Sequence, residues 1–331
     1  MTHLALSLAL TRNEFSRPIM DGSIAPQGVV FNAMGLHPSE MYWRQLRFGD
    51  FDVSEMSLAS LFIARSRGDL RWTALPVFTM RRYFHTHILV RDGADIETPA
   101  DLRGKRVGVP EYQQTAAVWS RGVLQHEFDV HARDIEWFME RGADKSHGGA
   151  TGFEPPEGVS ITPIATDSSI GDMLLDGTLD ATLLFINSTN LVDRSRRDIR
   201  GDKRIRPLFR DAAAEGRRYH GSSGLYPINH TVVVRTSLLE QHPWLALNVQ
   251  TAFASARSEV LRAARAAVVP LVETGRLGAE AAAAIDTDAA PYGIRAARRE
   301  LEAIAQYLHE QGLTSQRVRL EDVFWRSTLD L

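Results

Sequence analysis

Residues 101–115 read DLRGKRVGVPEYQQT. A helical turn with Gly104, a short apolar strand over 106–109 and a loop opening a new helix near Gln114 follow one another without a break. Strand, loop and helix N-terminus together build an anion-binding corner, because the first amides of a helix lack internal partners and carry partial positive charge. On its own the segment also matches the ordinary turn of any α/β protein. Its surroundings therefore decide how it is read.

Upstream, expected strands at 3–10, 28–34, 51–56 and 72–78 alternate with helices at 38–48 and 58–67, the signature of a parallel sheet covered by helices. Residues 83–91 (YFHTHILVR) read as an extended crossover. The alternation then resumes with strand 106–109, helix 114–127, strand 135–138, a long Gly/Pro/His loop at 142–158 that reads as a mobile flap carrying His147, and strand 160–164. A helix over 168–176 is bounded by Ser168 and Gly177, and a strand follows at 180–186. Residues 225–235 (LYPINHTVVVR) form a second extended crossover. From 236 the chain is helical, with Pro243 at a first helical position and Leu245, Val249, Ala252, Phe253, Ala256 and Val260 at helical spacing. Ala-rich helical stretches at 263–285 and a helix near 294–312 complete it. Two crossovers between an early-plus-late half and a middle half imply a two-lobed hinge protein: 1–86 plus 231–331 as the first lobe, 87–230 as the second. Its ligand is expected in the cleft, beyond the strand ends at 11–15, 54–57 and 78–85.

The 331 residues carry a net charge of -3, so there is no electrostatic case for nucleic acid or an anionic membrane. The chain has no cysteine, which removes disulfides, thiolate nucleophiles and Cys-bound zinc. Lysine is confined to Lys105, Lys145 and Lys203, none placed for Schiff-base chemistry. No stretch approaches the roughly 20 apolar residues of a membrane span. The opening MTHLALSLALTRNEF lacks a basic n-region and a small-residue cleavage pattern, and a cytoplasmic protein is expected.

Three segments resemble the type II periplasmic-binding-protein fold: FDVSEMSLASLFIARSRGD (51–69), DLRGKRVGVPEYQQTAAVWSRGVL (101–124) and MLLDGTLDATL (173–183). The resemblance implies an α/β fold of two lobes, each a mainly parallel sheet flanked by helices, with the C-terminal helices packing on the first lobe. RPIMDG (17–22), FDVSEMSLAS, PVFTMRRYFHTHI (76–88), VPEYQQTAAVW (109–119), YPINHTVVVR (226–235) and HPWLALNVQTAF (242–253) are in turn similar to the 4,5-dihydroxyphthalate decarboxylases, in the same order over nearly the whole chain. One departure is Phe84, where the family pattern has Arg directly before the histidine. The resemblance implies a cofactor-independent carboxy-lyase of phthalate catabolism acting on a small aromatic dicarboxylate, and a homo-oligomer. The competing expectations are a receptor for an aromatic or sulfonate anion and another cytoplasmic enzyme on the same scaffold.

Loss of CO2 from an electron-rich ring without a cofactor proceeds by protonation of the carbon that bears the carboxylate. It needs a proton donor, a base for the catechol and cations or donors for the carboxylate that stays. His85, on the first crossover and expected to face the cleft, is the first candidate for general acid, since imidazole titrates near neutral pH. His230 on the return crossover is the second, as acid or base. Glu111 either takes a catechol proton, orients a histidine or simply caps free amides. For the carboxylate, Arg81 leads, followed by Arg17 and Arg12, with Arg82 able to exchange roles with Arg81; surface ion pairs are the structural alternative. Ser57, Gln113, Gln114 and Thr115 offer neutral donors at two helix starts, and Tyr112 either stacks on the ring or packs in the core. His85 and His87 share strand parity and could form a metal pair; no cofactor is expected, with a divalent metal held by that pair as the alternative.

Overall fold

The computed structural model describes residues 3–331, and the alternation read from the sequence resolves into two sheets. The first has the order β2-β1-β3-β11-β4, built from β1 (Leu4–Leu10), β2 (Val29–Gly35), β3 (Val53–Ser57), β4 (Trp72–Arg81) and β11 (Ile228–Arg235). β1 pairs in parallel with β2 and β3, whereas β11 runs antiparallel between β3 and β4. The second sheet has the order β10-β5-β9-β6-β7-β8. Its strands are β5 (Leu89–Arg91), β6 (Arg106–Val109), β7 (Glu136–Met139), β8 (Ile161–Pro163), β9 (Ala181–Thr182) and β10 (Ile205–Pro207). Parallel pairing runs from β9 through β6 and β7 to β8, and β5 is antiparallel to both β9 and β10.

Helices α1 (Arg17–Met20), α2 (Pro38–Phe48) and α3 (Leu58–Ser66) belong to the first βα run. α4 (Thr115–Phe128), α5 (His147–Thr151), α6 (Ile170–Asp176) and α7 (Ala212–Ser223) accompany the second sheet. After β11 come α8 (Thr236–Gln241), α9 (Leu245–Glu273), α10 (Ala279–Asp286), α11 (Ile294–Glu310) and α12 (Leu320–Val323). α4 is buried at every position from Thr115 to Leu124, because it lies between neighbours on all sides. The largest apolar core is continuous through it: Phe62, Trp72, Trp119, Trp137 and Leu301 come from both sheets and both halves of the chain and join one cluster. Trp119 adds a hydrogen bond from its indole to the Ile228 carbonyl at 2.9 Å, tying α4 to the start of β11.

Several local expectations change. Residues 83–91 are not one strand: a 3-10 turn (Phe84–His87) precedes the short β5, so strand parity does not apply to His85 and His87. The expected loop at 142–158 contains α5, capped by Ser146, whose hydroxyl accepts from the Gly149 amide at 2.7 Å. The N-cap of α6 is Ser169, with Gly177 in the left-handed conformation at its end as expected, and strand 180–186 shrinks to Ala181–Thr182. Pro243 lies just outside α9, whose N-cap is Trp244. No helix among the described residues is long and apolar enough to cross a membrane.

Candidate active site

Between the sheets lies a cavity of about 190 Å³, lined from the first half by the start of α2, Ser57, Met80 and Phe84, and from the second by the start of α4, Arg141 and His147. Its position follows from chain direction. β3 ends at Ser57 and α3 begins there; β6 ends at Val109 and α4 begins at Thr115; α2 begins at Pro38 after its N-cap His37. Three helices thus point their N-termini at one cavity, and the converging dipoles favour an anion without any surplus of charged side chains.

The start of α4 and the start of α3 cap each other. Thr115 Oγ1 accepts from the Ala59 amide at 2.9 Å and lies 2.8 Å from Ser57 Oγ. Ser60 Oγ donates to Ser57 Oγ at 3.1 Å and contacts His147 Nδ1 at 2.9 Å, while His147 Nε2 lies 3.5 Å from Arg141 Nη1. A guanidinium only donates, so His147 Nε2 is the acceptor and the proton sits on Nδ1, facing Ser60. Every donor in the chain then points toward the Ser57–Thr115 pair, and one of those two hydroxyl protons is left over at the cavity wall. Burial, then the charge of Arg141, depresses the His147 pKa well below its usual value and keeps the ring neutral.

Arg141 is buried and fixed by two partners: its Nε donates to Asp193 Oδ1 at 2.8 Å, and Nη2 donates to Ser39 Oγ at 2.6 Å and lies 2.7 Å from the same Asp193 oxygen. Burial opposes the charge on Asp193, but Arg141 and the bond from Asn190 outweigh it and hold that carboxyl below its usual range. Ser39 belongs to α2 and Arg141 follows β7, so this cluster also ties the two halves together.

On the opposite wall β11 supplies Asn229 and His230. Consecutive strand residues ordinarily face opposite ways. Here the pairing of β11 with β4 shifts register between Ile228 and His230 and again between His230 and Val232, and such irregularities re-aim side chains. Both residues thereby reach the same cavity. His230 Nδ1 lies 3.3 Å from Glu55 Oε2, within ion-pair range although off the line of a hydrogen bond. Glu55 is buried in β3, accepting from the Thr11 amide and hydroxyl at 3.0 Å each and from the Tyr42 hydroxyl at 3.4 Å. The Tyr42 ring meets the edges of both His230 and His147, and burial, with Glu55 beside it, raises its phenol pKa and keeps it protonated. Met80, Phe84, Leu184 and Ile186 give the cavity an apolar side.

The structure sorts the residues singled out from the sequence. Ser57, Gln114, Thr115 and His230 line the cavity. His85 does not: its ring is 1% exposed, packs against Phe209 and Tyr219, and bonds Glu215 through Nε2 at 3.1 Å, because the 3-10 turn carries it away from the cleft. Arg81 is buried against the C-terminal region, with Glu300 at 3.2 Å and the Pro291 carbonyl at 2.9 Å, since it ends β4 facing α11. Arg12 and Arg17 line a separate cavity of about 370 Å³, with Arg17 paired to Glu14 at 3.2 Å in solvent. Arg82 is exposed and its guanidinium lies 5.9 Å from the Phe84 ring centre; its contribution to the site is a main-chain carbonyl. His87 is exposed beside Phe84, so it forms no pair with His85. Tyr112 is wholly buried between the Arg121 guanidinium, 3.8 Å from its ring centre, and Trp137. Gln113 exchanges hydrogen bonds with Thr151. Glu111 accepts from the His147 amide at 2.8 Å; burial raises its pKa, and its position behind His147 makes it an anchor for α5.

Arg141, Tyr42, Glu55 and Asn229 were not singled out, and His147, expected on a mobile flap, is instead buried at the start of α5 in the cavity wall. Two of them carried a signal: Glu55 is an acid inside an expected strand, and Arg141 lies two residues past a parallel strand at the end where ligands bind. Among the described residues no group of three or more His, Asp or Glu side chains is placed to hold a metal. A larger cavity of about 860 Å³ lies along α9 near the C-terminus, remote from these groups.

A family model described as the periplasmic substrate-binding protein of a phosphonate ABC transporter matches residues 40–151. A 4,5-dihydroxyphthalate decarboxylase of Comamonas testosteroni is 31% identical over 335 residues, covering 100% of this chain and 99% of its own. One of Pseudomonas putida is 36% identical over 183 residues, covering 55% of this chain and 71% of its own. Among solved structures, the alkanesulfonate-binding protein of Xanthomonas axonopodis pv. citri superposes with a TM-score of 0.55 at 14% identity, covering 98% of each chain, and so shares the fold.

Proposed function

The chain belongs to the 4,5-dihydroxyphthalate decarboxylase family and is a carboxy-lyase, and from that premise we propose that it converts 4,5-dihydroxyphthalate to protocatechuate and CO2 by protonating the ring in the cavity between its sheets. The observation that carries the reading is the convergence of three helix N-termini and Arg141 on a cavity of about 190 Å³ that also contains His230 backed by Glu55. A cavity of about 150 Å³ accommodates benzene, so this one suits a single substituted ring.

In this reading the retained carboxylate lies at the starts of α3 and α4, taking the surplus hydroxyl proton of the Ser57–Thr115 pair and the charge of Arg141. His230 donates a proton to the ring carbon that bears the other carboxylate, while Glu55 orients the imidazole and offsets the charge it carries when doubly protonated. The hydroxyl para to that carbon feeds electron density into the ring. The carbon–carbon bond then breaks, its electron pair restores the aromatic system, CO2 leaves, and solvent returns the proton to His230. Met80, Phe84, Leu184 and Ile186 keep water from the departing group. The same reading places residues 1–86 and 231–331 in one lobe and 87–230 in the other, and makes the protein a cytoplasmic homo-oligomer that needs no cofactor.

Incubating the purified protein with 4,5-dihydroxyphthalate and following protocatechuate and CO2 tests it. Stoichiometric release of both is the expected result. Tight binding without turnover, with and without added divalent metal, would instead identify an anion receptor, the activity named for the protein that shares its fold.

A further inference from the structure

Asn229 is fixed in one orientation. Its Nδ2 donates to the Arg82 carbonyl at 3.2 Å and to the Pro227 carbonyl at 3.1 Å. Both partners are pure acceptors, so the amide cannot be flipped without opposing its Oδ1 to two carbonyl oxygens. That leaves Oδ1 buried with no partner in a residue that lines the cavity and is 1% exposed. An unpaired buried acceptor is destabilising, and a substrate O–H removes that cost where an unsubstituted ring cannot.

The wall at the start of α4 has the opposite polarity. The hydroxyl chain from His147 ends in a donor at Ser57 and Thr115, the amides at the start of α4 are donors, and Arg141 is a donor. A ligand that satisfies both sides carries oxygen acceptors at one end and a hydroxyl donor at the other. We infer that Asn229 is a specificity-determining residue of this site, its Oδ1 accepting a hydrogen bond from a ring hydroxyl of a hydroxylated aromatic carboxylate. The inference rests on the proposed carboxylate seat at α4. Its test uses equilibrium binding, so it does not depend on turnover.

Binding of three probes to the wild-type protein is compared by calorimetry: protocatechuate, 3,4-difluorobenzoate, which keeps the shape but has no O–H, and benzoate. The expected order is protocatechuate at least tenfold tighter than either of the others. In Asn229→Leu, nearly the same size, protocatechuate weakens at least tenfold and the preference over 3,4-difluorobenzoate falls to within about threefold. Equal affinity of the wild type for protocatechuate and 3,4-difluorobenzoate overturns the inference whether or not the variant folds. So does a folded Asn229→Leu that keeps the full preference. If the wild type turns over 4,5-dihydroxyphthalate yet shows no such preference, this inference falls and the decarboxylase reading stands. If the preference is present without turnover, the reverse holds.

Discussion

His230 and His85 flank the cleft in sequence terms alike, one on each crossover, and differ in what each ring faces. His230 lines the cavity with a buried carboxylate behind it; His85 is packed among aromatic rings with Glu215 at its Nε2. Replacing His230 with Asn should lower kcat for decarboxylation at least about a hundredfold, the usual contribution of a positioned acid or base. Replacing His85 with Ala should act on stability instead, by on the order of 2–4 kcal/mol, because a buried ring is lost from a packed cluster. Glu215 is not stranded by that change, since Arg218 holds both of its oxygens at 2.8 and 2.9 Å. Parallel measurement of kcat and Tm separates the two; a folded His85→Ala protein as slow as His230→Asn would return His85 to the mechanism. Sequence favoured both histidines because both crossovers border the cleft. It misplaced His85 because the parity argument needs a strand at 83–91, and a 3-10 turn stands there. It passed over Asn229 for the mirror-image reason: a regular strand would have hidden it behind His230, and the register breaks that expose it leave no mark in residue type.

The helices that build the anion seat were readable because their starts are set by local chemistry, a strand end followed by a loop and an apolar run. What holds them in place is less local. Gly122, midway along α4, lies so close to α11 that an added Cβ would stand 2.1 Å from Tyr307 Cδ2. That ring cannot swing aside, since Trp119 meets its edge at 5.4 Å and His126 stacks on it at 5.0 Å. Gly122→Ala therefore sets two effects against each other: about 1 kcal/mol gained in helix propensity, and about 1–3 kcal/mol or more lost to overpacking. At this distance the second wins. Urea denaturation should show a destabilised protein, and an unchanged or higher midpoint would mean that α11 moves away freely. α5 shows the limit from the other side: its five residues carry no apolar pattern, and it is held by contacts far away in sequence, the Trp43 indole to the Asp144 carbonyl at 2.9 Å and the Glu111 carboxylate to the His147 amide. Composition alone reads such a segment as loose.

At the scale of the molecule, the two-sheet plan followed from the rhythm of strands and helices, but the rhythm does not reveal how far the halves are joined. The main apolar cluster runs from α3 and β4 through α4 to β6, β7 and α11, and the buried Arg141–Asp193–Ser39 group bridges the same gap. A protein with two separate cores would unfold in two steps. This one should show a single transition, with far-ultraviolet dichroism and tryptophan fluorescence coinciding and calorimetric and van't Hoff enthalpies equal. Two resolved transitions would mean that the shared cluster does not couple the sheets. The central place of β11 has a further consequence, for the order of assembly during synthesis. β4 ends at Arg81, and the strand that separates it from β3 begins only at Ile228. While the ribosome makes everything in between, β3 and β4 wait with open edges, whereas the strands of the second sheet can already pair with one another. The middle of the protein is thus free to fold before its beginning, and no product that stops before Ile228 contains either a finished first sheet or His230. A stop before β11 yields a chain with two sticky edges and no active site.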